Sequence, residues 1–239
     1  MRLILLVAAA FFINTVSAQI NLNTLKSAAV KAQSVIQTKN FSKDEVVKGL
    51  KEALIVGSTN AVINASESGG FNNNPEIKIP FPKEAKSMKK ILLKFGMESQ
   101  IDKFEHVLNK AAEDASGLAK DIFISAVKSM TINDAMSILK GKDNAATTYL
   151  KTHAVEELYL EFRPIVRNSI EKVNLEKYWE ILAKRYNAIP ITEDVNTSLE
   201  DYVTNQAIDG LFILIEEEEL NIRNNPKARV SEVLQKVFR

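Results

Sequence analysis

Four consecutive glutamates, Glu216–Glu219, form the most unusual cluster of ionisable side chains in this 239-residue sequence. They follow Leu211–Ile215, an apolar run that predicts a helix buried on every side. Four consecutive helical residues span about 300° of the circumference, so we expect at least one of these carboxylates to face protein. Glu217 and Glu218 continue the spacing of the inward-facing residues, and a buried carboxylate requires a hydrogen-bonding or charged partner.

Arginines are the candidate partners of these carboxylates. Arg163 lies beside the apolar stripe of a predicted helix, and Arg223 is one turn beyond Glu219 on the same helix; Arg167 and Arg229 are further candidates. Three interpretations stay open: a solvated helix end with local ion pairs, a buried structural network, or a carboxylate that binds a ligand or catalyses a reaction. The first needs only neighbouring side chains and is the simplest.

Other polar residues could bind a ligand without catalysing a reaction. Asn73 and Asn74 could line a groove or form turns before Pro75, and together with Lys78 they are candidate binding residues. Turns are the favoured interpretation of the asparagines. Thr147–Tyr149 could hold an anion at the start of a helix, although ordinary capping accounts for the same residue types.

The motifs of common catalytic and metal sites are absent. There is no Cys, no glycine-rich phosphate loop and no nucleophile elbow, and His106 and His153 are the two histidines. His153 with Glu156 and Glu157 could supply metal ligands from one helical face, but a helix start beside solvated glutamates is the simpler interpretation. We therefore predict no catalytic residue, no metal and no cofactor, and we favour a non-enzymatic protein.

The periodicity of the chain predicts an all-α fold, a single multi-helix domain. Gly and Pro number 8 and 6 and fall mostly between apolar stripes of helical spacing. Ser42 with Glu45, and Thr131 with Asp134, are capping boxes that begin two helices. The predicted helices cover about residues 20–38, 42–66, 84–95, 99–115, 118–130, 132–140, 144–152, 153–173, 175–186 and 198–222, with a last helix from residue 226.

Residues 71–82 are the clearly non-helical stretch in this pattern. Ile77, Ile79 and Phe81 alternate, so their side chains fall on one face of an extended segment. Pro80 and Pro82 lack amide hydrogens and restrict the residues before them to extended conformations, which excludes a central strand. We predict a short, extended, Pro-rich arm or edge strand laid across the helices.

The first 18 residues predict an export signal. Arg2 precedes the apolar run Leu3–Ile13, and Val16–Ala18 supplies the small residues that a signal peptidase reads. The run of about 11 residues makes roughly 16 Å of helix, too short for a hydrocarbon core of about 30 Å. We expect cleavage to leave residues 19–239 as a single helical domain, periplasmic or secreted, in a Gram-negative bacterium.

Composition limits the partners. The chain has 31 Lys and Arg against 30 Asp and Glu, a balance without the electrostatic footprint of a protein that binds nucleic acid or an anionic membrane surface. No segment after the signal is apolar for long enough to span a bilayer. An exported chain without Cys lacks disulfides, which fits a bacterial periplasm. We expect an unknown protein partner or a small ligand.

Five stretches, in order along the chain, carry a resemblance: Glu76–Pro82, Met130–Asp134, Ile138–Thr147, Phe162–Val166 and Asp209–Pro226. They resemble the bacterial family called domain of unknown function 4197. The resemblance implies an exported helical protein with no assigned activity and no catalytic residues to carry over. Where the family often reads Met-Asn-Arg-Ala-Ala-Glu, this chain has Leu108–Glu113 with lysine at position 110, which weakens any bidentate binding of an anion there.

The leading hypothesis is a non-enzymatic protein that binds a partner protein or a small ligand in a groove beside the arm. One alternative is a carboxylate-dependent hydrolase with Glu217 or Glu218 as general base near Arg163, which requires those groups to converge. Another alternative is a carrier of a hydrophobic ligand, which requires an apolar cavity of hundreds of Å³ between the helices.

Overall fold

Helices make up most of the chain in the computed structural model, which describes residues 42–172, 174–188, 198–229 and 232–237. The predicted signal, residues 1–18, and the helix expected over residues 20–38 lie outside the described residues. Phe41–Arg239 forms a compact unit of its own. The helices of the described residues are α1 (Lys43–Ser66), α2 (Lys86–Lys94), α3 (Glu98–Ser116), α4 (Ala119–Ser129), α5 (Ile132–Lys140), α6 (Ala145–Lys172), α7 (Leu175–Asn187), α8 (Leu199–Asn224) and α9 (Glu232–Val237), with 3₁₀ turns at Lys83–Ala85 and Pro226–Ala228.

Both capping boxes begin helices where the sequence predicts them. The Glu45 amide donates to the Ser42 hydroxyl at 3.2 Å, and the Ser42 amide donates to the Glu45 carboxylate at 2.7 Å. Thr131 and Asp134 make the same reciprocal pair at the start of α5, at 3.2 and 2.9 Å. Each pair satisfies two amides that no helical carbonyl can reach, which is why the first residue of the helix is set locally.

Helix α6 corrects the prediction of two helices divided near Thr152 and His153. It is one helix of 28 residues that contains Pro164. The Thr152 hydroxyl donates to the Thr148 carbonyl at 2.9 Å, and Nδ1 of His153 lies 2.8 Å from the Tyr149 carbonyl oxygen. These side chains can end a helix by competing for its backbone, but here they bond to carbonyls four residues back and the helix continues.

The core lies where α3, α6 and α8 pack on one another, with α1 and α4 completing it. Its largest fully buried side chains include Phe104, Phe123 and Phe162. The expectation that α8 is buried all round at Leu211–Ile215 is wrong at one position, because Ile213 is 39% exposed while its four neighbours are buried. The exposed face of α8 continues through this apolar run.

The predicted arm, residues 71–82, begins in turns and continues over residues 78–82 without helix or strand, with a bend at Phe81. It pairs with no strand of the described residues. Ile77, Ile79 and Phe81 are buried and Lys78 is exposed, so the alternation predicts the inward face correctly. Phe81 packs against Phe104 with ring centroids 5.1 Å apart. The arm is therefore part of the core.

Within the described ranges, no single helix is long and apolar enough to cross a bilayer. Helices α4 and α5 reach that length and hydropathy only when taken together, and they are bent by 102° at their junction.

Candidate functional site

The four consecutive glutamates differ in burial. Glu217 is exposed, Glu216 and Glu218 are half-buried, and Glu219 is buried. The inward-facing carboxylate therefore belongs to Glu219, and not to Glu217 or Glu218 as the spacing predicts. Burial, together with the neighbouring Glu217 carboxylate, raises the pKa of Glu218. The sequence signal for Glu219 was Arg223, four residues further along the same helix.

The carboxylate of Glu219, a residue of α8, lies at the N-terminus of α6. One carboxylate oxygen accepts from the Ala146 amide at 2.9 Å; the other accepts from the Thr147 amide and the Thr147 hydroxyl, both at 2.8 Å. Arg223 donates to the first oxygen through Nη2 at 2.7 Å and Nε at 3.0 Å. The positive end of the helix dipole adds to these bonds. The anion that the sequence allowed at Thr147–Tyr149 is thus the chain's own carboxylate.

The same network joins further elements through backbone carbonyls. Arg223 donates from Nη2 to the Ile138 carbonyl of α5 at 3.0 Å. Arg229 donates from Nε to the Ile222 carbonyl at 3.0 Å and from Nη2 to the Arg223 carbonyl at 2.6 Å. The network therefore fastens α5, α6 and the turn after α8 to one buried carboxylate. Of the three interpretations of the glutamates, this arrangement matches the buried structural network.

Arg163 belongs to a separate cluster at the other end of α8. Its Nε lies 2.9 Å from the Glu200 carboxylate and 3.1 Å from the Asp201 carboxylate. Sixteen residues separate Asp201 from Glu217, a rise of about 24 Å along the helix. The expected proximity of Arg163 to Glu217 or Glu218 is therefore not found, and the groups required for the hydrolase do not converge.

The cluster around Asp201 has a stabilising arrangement of its own. The Tyr159 hydroxyl donates to Asp201 at 2.8 Å and the Ser198 hydroxyl donates to it at 2.9 Å. These hydrogen bonds, with the Arg163 guanidinium, lower the pKa of Asp201, and the bond to Asp201 raises the pKa of Tyr159. Arg167 pairs with Glu200 through two hydrogen bonds of 2.9 and 3.0 Å.

The asparagines of the arm form turns. The Glu76 amide donates to the Asn74 side-chain oxygen at 3.0 Å, and the Asn73 amide donates to the Gly69 carbonyl at 2.8 Å. Gly69 has a φ of 86°, a conformation that favours glycine. The Lys78 side chain is exposed on the arm. Turn formation accounts for the asparagines, and a binding role for these residues stays a prediction.

Helix α3 holds the arm through side chains spaced one turn apart, a feature that the sequence reasoning missed. Asn109, which is fully buried, accepts from the Ile79 amide at 2.8 Å and donates to the Ile79 carbonyl at 2.9 Å. Glu105 accepts from the Phe81 amide at 3.2 Å, and Glu113 accepts from the Asn72 amide at 3.4 Å. The available signal was the four-residue spacing of these polar side chains on a helix whose other inward residues are apolar, apart from Ser116 at its end.

Two open grooves flank the first turns of α6. The α6–α8 groove has a volume of about 520 Å³ and is crossed by Lys151, which lies 3.4 Å from Asp209 and 5.7 Å from the centroid of the Phe212 ring. The second, which we name the α5–α6 groove, has a volume of about 380 Å³. Its lining residues are Asp134, Ser137, Ile138, Lys142, Asn144, Ala145, Thr148, Tyr149, Thr152 and His153.

An aromatic pair lies along the α5–α6 groove. The rings of Tyr149 and His153 stack with centroids 4.0 Å apart and an angle of 25° between their planes. Because the Tyr149 carbonyl can only accept, the His153 nitrogen facing it carries hydrogen, and Nε2 of the neutral ring is an acceptor. Hydrogen bonds from Thr131 lower the pKa of Asp134 and keep it ionised on the groove lining, and burial raises the pKa of Tyr149.

The candidate metal ligands of the sequence are His153, Glu156 and Glu157. Among the described residues, no group of three or more His, Asp or Glu side chains is placed to hold a metal ion. His153 lies within α6, and it does not begin the helix as the sequence reasoning expected.

Residues 40–239 match the model of a family described as "Protein of unknown function (DUF4197)". No curated protein and no solved structure matches the chain.

Proposed function

Because this chain belongs to that family, whose description assigns no activity, we propose a function from the geometry: a non-enzymatic binding protein that holds a small organic molecule in the α5–α6 groove. The observation that carries the proposal is the stacked Tyr149–His153 pair beside a buried apolar residue, Ile138, in a groove of about 380 Å³. Small-molecule sites are concave, of about 300–1,000 Å³, and combine apolar walls with a few polar groups.

The residues around the groove define the chemistry of its ligand. Ile138 and the stacked rings offer contact to a flat or aliphatic body. Nε2 of His153 offers an acceptor, and Thr148 and Thr152 contribute hydroxyls to the lining, although both donate within the helix. Lys142 and Asp134 put both signs of charge at the groove. A small aromatic or aliphatic molecule with a hydrogen-bonding group suits this set.

The groove beside the arm, which the sequence favoured, receives less support. The arm's inward side chains are buried, and its backbone is bound by Asn109 and Glu105 of α3. These donors and acceptors are already used within the fold, so the arm has fewer groups to offer to a partner. Protein binding at the arm's exposed residues, such as Lys78, is the second form of the binding hypothesis.

The two other functions draw little from this geometry. The hydrolase needs Arg163 beside Glu217 or Glu218, and Arg163 is engaged with Glu200 and Asp201. The raised pKa of Glu218 is the one feature in its favour. The carrier needs an apolar cavity of hundreds of Å³, whereas the apolar gap beside Leu50 and Leu234 holds about 20 Å³.

The location of the protein is also a proposal. The order of positive charge, apolar run and small residues in the first 18 residues supports export to the periplasm of a Gram-negative bacterium. A ligand of the α5–α6 groove would then be a molecule of that compartment.

The test combines detection of a bound molecule with its location. Native mass spectra of the protein purified from its own cells should show extra mass that is lost on denaturation. Aromatic and aliphatic amides, used as fragments, should then shift the backbone NMR signals of residues 134–153.

His153→Ala should weaken fragment binding about tenfold, which corresponds to the upper end of the free energy that an aromatic contact contributes. Lys151→Ala is the matched control, because Lys151 is exposed, two residues away, and lies in the other groove. Equal effects of the two variants, or fragment shifts confined to another face, would contradict the proposal.

A further inference from the structure

The most exposed large apolar side chain of the described residues is Phe95, at 68%, at the end of α2. Leu93, two residues earlier, is 38% exposed. Neither side chain is needed to hold the helix on the protein, because its buried residues Met88 and Leu92 face inward. Two apolar side chains are therefore presented to the surroundings at one end of a short helix.

The same helix carries a local excess of positive charge. Residues 83–95 contain five lysines and one glutamate, although the whole chain is nearly balanced at 31 against 30. Lys86, Lys90 and Lys94 are exposed and recur every four residues, so they lie on one face of α2, and Leu93 is beside them. Lys89 pairs with Glu105, and no ion pair of the described residues involves Lys86, Lys90 or Lys94.

A fixed turn keeps Phe95 at the outside. The Gly96 amide donates to the Leu93 carbonyl at 3.1 Å and the Met97 amide donates to the Leu92 carbonyl at 3.2 Å, the paired bonds of a helix-ending turn. Gly96 has a φ of 70°, and a Cβ built there meets no atom within 4 Å. The space around Gly96 at the end of α2 is thus open, and Phe95 projects beside it into the surroundings.

We propose that this surface, which we name the Phe95 tip (Lys86, Lys90, Leu93, Lys94 and Phe95), docks on an anionic lipid bilayer. The apolar side chains enter the interfacial region and the lysines lie against lipid phosphates. A bilayer accepts protruding apolar groups without needing a matching cavity, whereas a folded acidic partner would need one. The proposal is independent of the α5–α6 groove.

Two acidic residues near the tip should weaken its docking on an anionic bilayer, so removing one of these charges should strengthen binding. Glu98 is exposed two residues after Gly96, and Asp102 lies one turn further along α3. Both repel an anionic surface within a Debye length of about 8 Å. If the tip faces the bilayer, Glu98→Gln should strengthen binding up to about fivefold.

The experiment measures co-sedimentation of the chain from residue 19 onward with phosphatidylcholine vesicles that contain or lack phosphatidylglycerol. We expect binding that requires phosphatidylglycerol and falls as salt rises. Replacing Lys90 and Lys94 together by Gln should weaken it about 25-fold, at about fivefold per lysine. Phe95→Ser should weaken it about tenfold, because the ring is then absent from the interface.

Matched controls separate docking from general effects of charge and hydrophobicity. Leu160→Ser removes an apolar side chain that is 65% exposed, close to the exposure of Phe95, but lies between exposed glutamates on α6. Lys120→Gln with Lys172→Gln removes two exposed lysines from other helices. Both controls should change binding less than about twofold.

Binding that is indifferent to phosphatidylglycerol, or lost equally in the control variants, would overturn the proposal. Failure of the chain to sediment with anionic vesicles at low salt would do the same. A separate titration with soluble polyglutamate tests an acidic protein as the partner. Polyglutamate shifts of the NMR signals of residues 86–96, without vesicle binding, would assign the tip to an acidic protein and refute the lipid surface. The circular dichroism spectrum of each variant checks that the fold is retained.

Discussion

Replacing Glu219 by glutamine exchanges one of its two carboxylate oxygens for an NH₂ group. Either oxygen now faces at least two donors: Ala146 and Arg223 on one side, and the amide and hydroxyl of Thr147 on the other. The NH₂ group must therefore confront donors whichever way the side chain is turned, and the buried Arg223 guanidinium loses its counter-charge. The N-terminus of α6 also loses its negative charge.

We expect Glu219→Gln to lower the free energy of unfolding by about 3–5 kcal/mol, the cost of breaking a buried pair. For a chain of this size that is a fall in Tm of about 10 °C. Arg223→Met should cost less, about 1–3 kcal/mol, because Glu219 keeps its three donors from α6. Urea unfolding, followed by circular dichroism, measures both values.

Glu217→Gln is the control, because it makes the same chemical change at an exposed position two residues away. It should change stability by less than about 0.5 kcal/mol. The double variant with Glu219→Gln and Arg223→Met should cost less than the sum of the single changes, since no unpaired charge is left. If Glu219→Gln is as mild as Glu217→Gln, the buried network does not hold α6 and α8 together, and the reasoning fails.

Three further predictions test the arm, the helix packing and the raised pKa. Asn109→Leu should lower the free energy of unfolding by about 2–4 kcal/mol in urea and speed amide exchange in the arm, because two buried backbone groups lose their partner. Gly210→Ala should lower the free energy of unfolding by about 1–3 kcal/mol, since the new Cβ would lie 2.7 Å from the Phe71 ring. Gly57→Ala meets ordinary contacts at 3.6 Å and should be neutral or stabilising. Thermal unfolding of the two variants measures the difference. Folding raises the pKa of Glu218. The contribution of this side chain to folding stability is therefore fully present below the ordinary carboxyl pKa, and it is lost as pH rises through the raised pKa and the carboxyl group ionises. Glu218→Gln should therefore raise stability at neutral pH and leave it unchanged in acid, and a stability loss at neutral pH in urea titrations would contradict this sign.

Polar side chains satisfy unpaired backbone groups at two places in the fold, the arm and the N-terminus of α6. Asn109, Glu105 and Glu113 lie on one helix and satisfy a segment that makes no strand pairing within the described residues. Glu219 instead satisfies the end of another helix. In both cases a buried polar side chain takes the place of water for backbone groups that regular secondary structure leaves unpaired.

The features that the sequence determined by itself are local. Capping boxes at Ser42 and Thr131 set helix starts because both partners lie within one turn. The alternation of Ile77, Ile79 and Phe81 set the inward face of the arm because successive extended residues point to opposite sides. The all-α class followed from the apolar period, and the resemblance of several stretches identified the family.

Only the tertiary structure decided which glutamate is buried. Glu216 to Glu219 are chemically equivalent in the sequence, and α6 brings its amides to Glu219 from about seventy residues away along the chain. It also decided that α6 continues through His153 and that Ile213 is exposed. The net charge did not predict the Phe95 tip, because net charge is a sum over the whole chain, whereas a docking surface depends on which side chains share a face. Such contacts depend on how distant helices are packed, which no local period or spacing encodes.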